Sequence, residues 1–415
     1  MKYFFVLGSN PAISVAEILS CLSEKSPTVV ELSRQILIIE SQLEIDEQNL
    51  MSQLGGTIKI GRLINHCLPI DVNALADVLA DELQQKHQSG KIKFGFSVYS
   101  LAQKKPEIEA IKIAKRLHRA GMEIKRRLTD RGLTARWIRP KSGSALSSVI
   151  ADKEGLVSTR SEFVLLVKSN SLEIGVTDVV QPFELFSETD FGRPGRDAYR
   201  GMLPPKVARM MLNLAGLQTD SIIWDPFCGS GTVATEALRL GATSIFASDI
   251  SPKAITDTKH NIDWLKKNNY IHTEANINVF SGDACRRPTL IGDHSVDLVV
   301  SEVFLGPPRR GKETKKELME RLDQLTELYR SVLLVWQPLL VKRAHLVLAL
   351  PLYIIDSERL GLNIKRIIGS DYKIDPILPA ELLAHLDEKL APDGRVTYGR
   401  LGQLVWREII RLRIK

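Results

Sequence analysis

Apolar positions along this chain recur with two periods, and each switch between them marks an element. In the first 180 residues, short runs rich in β-branched and aromatic residues predict strands over 3–7, 36–40, 58–63, 93–99, 134–138 and 163–168. Three- to four-residue spacing predicts helices over 15–21, 47–54, 72–85 and 106–129. From residue 201 the order becomes regular. Helices over 207–215, 233–240, 253–267 and 317–337 alternate with strands over 222–224, 244–247, 276–280, 295–300 and 343–350. Segments 395–398 and 403–410 read as an antiparallel pair closing the sheet. Alternating strands and helices predict an α/β architecture with a mostly parallel sheet. Residues 1–57 read as a ferredoxin-like subdomain, 58–180 as a second small α/β unit, and 201–415 as a Rossmann-like domain. Segment 181–200, rich in Pro, Gly and Arg, is the expected linker, with Ser142-Gly143-Ser144 a second candidate.

The most informative stretch follows the apolar run Ile222-Ile223-Trp224 and reads Asp225-Pro226-Phe227-Cys228-Gly229-Ser230-Gly231-Thr232. A strand that ends in an acid, turns through two glycines and opens a helix suits a nucleoside-bearing cofactor. The glycines permit a sharp turn and close backbone approach, and the helix's first amides face the ligand. No Gly-Lys-Ser/Thr follows, so this is not a Walker loop, and a third glycine at dinucleotide spacing is absent. The next strand ends at Asp249-Ile250, where a carboxylate accepts from both hydroxyls of a ribose. Ser301-Glu302-Val303-Phe304-Leu305-Gly306-Pro307-Pro308 occupies the end of the strand over 295–300, the place for groups that handle an acceptor.

Asp225 to Thr232 resembles the first motif of S-adenosylmethionine-dependent methyltransferases, in the form common among enzymes that methylate exocyclic amino groups of nucleobases. Together with Gly201-Met202-Leu203-Pro204-Pro205-Lys206, Ser301 to Gly306, and Ala145-Leu146-Ser147-Ser148-Val149, it is similar to the THUMP-domain methyltransferases of the tRNA guanine-N2 type, including the branch described as putative RNA or DNA methylases. The resemblance implies that 58–180 is a THUMP RNA-binding domain presenting tRNA, or another structured RNA, to the catalytic domain. It leaves room for an activator subunit. It implies a cofactor site of Leu203, Pro204, Asp225, Pro226, Phe227, Gly229, Gly231, Thr232, Asp249, Ile250, Asp283 and Ala284, with Asp283 accepting from the adenine amino group. Such enzymes usually carry Asp/Asn/Ser-Pro-Pro-Tyr/Phe at the fourth motif. A side-chain oxygen and a carbonyl there accept the hydrogens of the target NH2 while an aromatic ring stacks on the flipped base. Here Phe304 is the stacking ring and the Val303 carbonyl one acceptor. Ser301 and Glu302 are alternative side-chain acceptors, according to how the motif is aligned. The rival readings are a DNA adenine or cytosine amino-methyltransferase, and a noncatalytic RNA-binding protein with a vestigial cofactor fold.

Composition narrows the partners. The chain has 415 residues and 44% hydrophobic content, enough for more than one cored domain. Its net charge of +7 is unevenly spread. Residues 86–141 hold 16 Lys and Arg against 4 Asp and Glu, a local +12. Lys112, Lys115, Arg116, Arg119, Arg126 and Arg127 on the helix over 106–129 are candidate phosphate contacts. Arg309 and Arg310, beside the fourth motif, are two more. Cys21, Cys67, Cys228 and Cys285 form no CxxC pair, so neither zinc nor a disulfide framework is expected, and a cytoplasmic location suits them. No run of 18 apolar residues suggests a membrane span.

Overall fold

The computed structural model describes residues 1–87, 90–195, 202–271, 274–386, 393–400 and 402–415. The chain divides into two compact units, Met1–Phe183 with Glu381–Glu388, and Glu184–Ala380 with Lys389–Lys415.

The first unit is built on strands β1 (Lys2–Leu7), β2 (Thr28–Leu32), β3 (Ile36–Glu40), β4 (Thr57–Pro69), β5 (Lys91–Ser100), β6 (Thr134–Ile138), β7 (Glu162–Lys168) and β8 (Ser171–Val180). Helices α1 (Pro11–Cys21), α2 (Glu47–Gln53), α3 (Val72–Lys86), α4 (Pro106–Arg116), α5 (Ala120–Asp130) and α6 (Ser148–Lys153) connect them. All eight strands join one sheet in the order β2-β3-β1-β4-β8-β7-β5-β6. The two subdomains expected to meet near residue 57 therefore share a sheet, because β4 pairs with β1 on one edge and β8 on the other. Strand alternation sorts the core. Phe94, Phe96 and Val98 of β5 and Phe163, Leu165 and Val167 of β7 join one apolar cluster, which also takes in Leu75, Leu79 and Leu83 of α3. Tyr99, Val164 and Leu166 belong to another. Lys59 and Glu162, both fully buried, pair in the interior, and Lys59 Nζ also donates to the Leu146 carbonyl at 2.9 Å. Segment 142–144 is likewise bound to the sheet, the Val98 amide donating to the Ser144 carbonyl at 2.8 Å.

One expected helix is two. The 106–129 segment breaks between α4 and α5, where Leu117 and Ala120 are both buried. After the break Gly121 lies against the Trp137 ring, so closely that a Cβ there would be 2.0 Å from it; only glycine fits.

The second unit opens with α7 (Phe183–Phe191), inside the expected linker, and α8 (Pro205–Leu214). Phe186 of α7 is buried, with the cations of Lys206, Arg209 and Arg239 over its ring. The unit continues through β9 (Ile222–Asp225), α9 (Thr232–Arg239), β10 (Ser244–Asp249), α10 (Pro252–Lys267), β11 (Asn276–Ser281), β12 (Val296–Glu302) and α11 (Lys315–Trp336). It ends with β13 (Leu340–Ile355), β14 (Glu358–Leu360), α12 (Ile364–Ile368), β15 (Tyr372–Ile374), β16 (Val396–Tyr398) and β17 (Val405–Ile414), while α13 (Ala380–Ala384) belongs from Glu381 onward to the first unit. Local chemistry sets several starts: Ser251 caps α10 with Pro252 in its first turn, and Thr314 with Glu317 forms a capping box on α11.

The sheet runs β11-β10-β9-β12-β13-β17-β15, with β14 on β13 and β16 on β17. β11 through β13 are parallel neighbours and β17 is antiparallel to β13. From β9 the chain builds outward through β10 and β11, then returns to add β12 on β9's other edge. Strand order therefore reverses between β9 and β12, and ligands of open α/β sheets bind outside the strand ends at such a reversal. Asp225, Asp249 and Glu302 are the last residues of β9, β10 and β12.

Candidate functional site

Two carboxylates organise the ends of these strands. Asp225 is buried, and its Oδ1 accepts from the Ser301 hydroxyl at 2.6 Å and from the Phe227 amide at 3.3 Å. Burial, with further push from the charges of Asp249 and Glu302, raises its carboxyl to about 7. Asp249 spans the next gap, its Oδ2 accepting from the Gly229 amide at 3.0 Å and its Oδ1 from the Ser251 amide at 2.8 Å. A carboxylate offers about four acceptor positions, so these bonds leave capacity for ribose hydroxyls.

The turn between β9 and α9 needs its glycines for different reasons. Both have positive φ, 53° at Gly229 and 79° at Gly231. A Cβ on Gly231 would stand 2.7 Å from the Thr258 methyl, whereas one on Gly229 would enter open space. Behind the turn, Thr258 donates to the Gly229 carbonyl at 2.9 Å and Asn261 to the Ser230 carbonyl at 2.8 Å. Arg193 donates to the Thr232 hydroxyl at 2.8 Å. These supports escaped the sequence reading. Thr258 and Asn261 did leave a signal, as polar residues on the stripe of α10 that apolar periodicity assigns to the core.

Beside the turn, Ile250 is 72% exposed, although it directly follows the Asp249 tip. The Asp283 carboxylate accepts from the Cys285 amide at 2.9 Å in the loop after β11. Ala284 and Leu203 are buried, and the Ala284 carbonyl accepts from the Trp336 indole at 3.1 Å. Pro204 caps α8. Residues 196–201, including the Gly201 that opens the segment before the turn, lie outside the described residues.

At the end of β12 the four acceptor-side residues separate. Ser301 is fully buried and its hydroxyl is directed to Asp225. Glu302 is partly open, with its Oε1 2.7 Å from Arg407 Nε on β17. Burial pushes its carboxyl up, and the Arg407 charge opposes that rise. The Val303 side chain is buried, leaving its backbone as what it can offer a ligand, while Phe304 is 50% exposed. Tyr329 donates to the Phe304 carbonyl, and Tyr353 to the Leu305 carbonyl at 2.9 Å. Two tyrosine clamps thus fix a loop that lacks the rigid prolyl turn of the usual motif.

The basic candidates divide as sharply. Lys112, Lys115, Arg116 and Arg119 are exposed and, among the described residues, carry no ion pair. Arg126, also exposed, pairs with Glu123 at 2.6 Å and Asp130 at 2.8 Å. Arg127 is mostly buried between Glu123 and Asp77, so it is a tie between α5 and α3 and not a phosphate contact. Arg309 needs the same correction. Its side chain is 3% exposed and donates to the carbonyls of Ile354 and Leu404, each at 2.7 Å, over the Tyr353 ring. Neighbouring Glu313, held down to about 2 by the Arg310 and Gly311 amides and the Arg309 charge, completes that lock. Arg310 is exposed.

Residues 194–318 match the family model described as UPF0020, RMKL-like methyltransferase domain. Among curated proteins, a tRNA (guanine(10)-N2)-dimethyltransferase of Methanothermobacter thermautotrophicus is 38% identical over 64 residues, 15% of this chain and 19% of that protein. A ribosomal protein L11 methyltransferase of Legionella pneumophila is 32% identical over 108 residues, 26% of this chain and 33% of that one. The chain thus spans a third or less of the length of these relatives. Among solved structures, TrmN from Thermus thermophilus aligns over 100% of both chains with TM-score 0.52 at 14% identity. The fold is the α/β Rossmann-like methyltransferase fold that the strand order indicates.

The residues at the strand ends fit S-adenosylmethionine: a tip carboxylate with spare acceptor capacity, a glycine facing open space, an exposed apolar side chain next to the tip, and a second carboxylate one strand further on. Gly231→Ala is expected to lower both Tm and S-adenosylmethionine affinity. Gly229→Ala is expected to cost only about 1–2 kcal/mol of stability, from left-handed backbone strain, yet to weaken binding at least as much. Calorimetric titration checks both, and wild-type affinity in Gly229→Ala would place the ligand elsewhere.

Asp225 also makes a prediction about pH. A carboxyl raised from 3.8 to about 7 binds more protons folded than unfolded, so it costs stability as pH climbs through that interval. Asp225→Asn keeps an acceptor for Ser301 and removes the titration. The Tm of the variant minus that of wild type is expected to rise between about pH 4 and pH 8, by the equivalent of a few kcal/mol. A difference constant with pH would refute the assignment.

Proposed function

We propose that this protein is an S-adenosylmethionine-dependent methyltransferase acting on an exocyclic amino group in RNA, with guanosine N2 of tRNA as the leading target and the first unit serving as a THUMP-type RNA-binding region. The observation that carries the reading is the convergence, at one reversal of strand order, of the glycine turn with Asp249 on one side and Glu302 with Phe304 on the other.

When bound, S-adenosylmethionine supplies an electrophilic methyl group on a sulfonium whose departure needs no acid. The chain's own residues have the remaining tasks. Asp249 accepts from the ribose hydroxyls while keeping the Gly229 amide in place, and Asp283 accepts from the adenine amino group. Ile250 covers an adenine face with surface that otherwise meets water. Phe304 stacks on the extruded base, an interaction open to any base and worth roughly 1–3 kcal/mol. Glu302, as a carboxylate, accepts a hydrogen from the target NH2, keeps the nitrogen lone pair aimed at the donor, and takes the departing proton. Ser301 is better suited to support, because its buried hydroxyl already holds Asp225.

RNA is favoured as the substrate class by the charge of the first unit, where four exposed cations on α4 and the turn after it carry no ion pair among the described residues. The similarity to the tRNA enzyme above points the same way. The decisive measurement is mass spectrometry of nucleosides in tRNA from cells lacking the protein. Loss of an N2-methylated guanosine is expected, and an unchanged level would remove this target. Charge reversal at an ordinary surface would not discriminate, but salt dependence does. Lys112→Ala with Lys115→Ala is expected to weaken tRNA binding and to flatten the log-affinity against log-salt slope by roughly 1.4–1.8. Arg309→Ala should leave that slope alone while lowering Tm; a flattened slope there would return Arg309 to the interface.

A further inference from the structure

We propose that Arg407 is a positioning residue for the acceptor side of the site: from β17 it keeps Glu302 ionised and oriented, and so sets the pH range over which the site works. The inference rests on the reading of Glu302 as the group that accepts from the target amino group.

The geometry is specific. Arg407 pairs in register with Pro351 of β13, and Glu302 with Ala349 of the same strand, so the two side chains reach across β13 from opposite edges. Their contact is a charge-assisted bond of 2.7 Å between groups only 7% and 17% exposed. The charged groups linked to Glu302 come from two elements, β17 and β9. Arg407 of β17 bonds to it directly. Asp225 of β9 feels its charge, and is itself bonded to Ser301 of β12 and raised further by Asp249 of β10. Burial opposes charge on Glu302, and Arg407 is the cation that opposes burial. Arg395, just before β16, is engaged with Asp393 and Glu408 at 2.7 and 2.6 Å, and Arg411 of β17 with Asp375 at 2.8 Å.

The chemical consequence is a change of role and not only of strength. An ionised Glu302 can only accept, which is what an amino group with two hydrogens requires. A protonated Glu302 presents a hydroxyl donor to that same amino group and can take no proton from it. Without a cation at position 407, a buried carboxyl next to Asp225 would be neutral over a wider pH range. The Arg407 Nε bond also occupies Oε1, leaving Oε2 as the oxygen free of this arginine.

The test uses the full chain with Arg407→Gln, Arg407→Lys and Glu302→Gln. Tritiated-methyl transfer from S-adenosylmethionine to total tRNA of cells lacking the protein is followed against pH, alongside the affinity for S-adenosylmethionine. In Arg407→Gln the acidic limb of the kcat profile is expected to move up by about one unit or more, with a loss of about tenfold near neutrality that shrinks as pH rises. Cofactor affinity and the KM for tRNA should stay within about twofold, and Arg407→Lys should recover most of the shift. Independently of turnover, difference infrared spectra should show a protonated-carboxyl band near neutrality in Arg407→Gln that is missing when Glu302→Gln is added. A wild-type profile in Arg407→Gln, or an equal loss at every pH, would overturn the proposal. Should Arg407→Gln not fold, a protonated-carboxyl band near neutrality in wild type that Glu302→Gln removes would overturn the proposal, because Arg407 would then not be keeping Glu302 ionised. If wild type transfers no methyl group to tRNA, the functional reading fails instead, and the infrared comparison still decides whether Arg407 controls the ionisation of Glu302.

Discussion

Beyond their backbone pairing of Ile223 with Leu298 and Trp224 with Val299, the two strands between which the sheet reverses are joined at their ends by a buried bond, 2.6 Å from the Ser301 hydroxyl to the Asp225 carboxylate. Backbone register pairs these strands along their length, and at their ends side chains add to it. Asp225 reaches β12 through Ser301, and Asp249 reaches the turn after β9 through the Gly229 amide. The glycine turn is consequently held on both flanks before any ligand arrives, the preorganisation that a binding site needs if ordering is not to consume its affinity. The cost is a carboxyl so far from water that it ionises only near neutrality.

The acceptor side is built on another plan. Its loop has no proline at the positions where rigidity would be expected, and it is clamped from outside: Tyr329 and Tyr353 bond successive carbonyls, Arg309 bonds two more from neighbouring segments, and Glu313 gathers the amides of Arg310 and Gly311. The Arg309 charge is thus invested in holding the loop. The same division runs through the first unit. Arg127 binds helices together, whereas Lys112, Lys115, Arg116 and Arg119 stay in water. A basic stretch of sequence is a mixture of these two uses, and only the partners of each residue separate them.

The glycine turn, the acidic strand tips and the order of strands and helices in the second unit were legible because each depends on neighbours a few residues away. Positive φ at Gly229 and Gly231, the cap at Ser251 and the apolar runs of β9, β10 and β12 are local demands that leave local marks. The break between α4 and α5, the helix at Phe183–Phe191 within an expected linker, and the single sheet of the first unit were not legible in that way. Each follows from burial against distant residues, as when Gly121 meets Trp137 or Phe186 meets three cations.

What the sequence determined by itself was therefore the place of the site, since a strand, a turn and a helix N-terminus are encoded side by side. What tertiary structure decided was the role of each residue within it. Ser301 and Glu302 are adjacent in the chain, and alignment alone could exchange them. In the fold one faces Asp225, 76 residues away, and the other faces Arg407, 105 residues away. Successive residues of a strand point to opposite faces, and what waits on each face is set by parts of the chain that no local pattern connects.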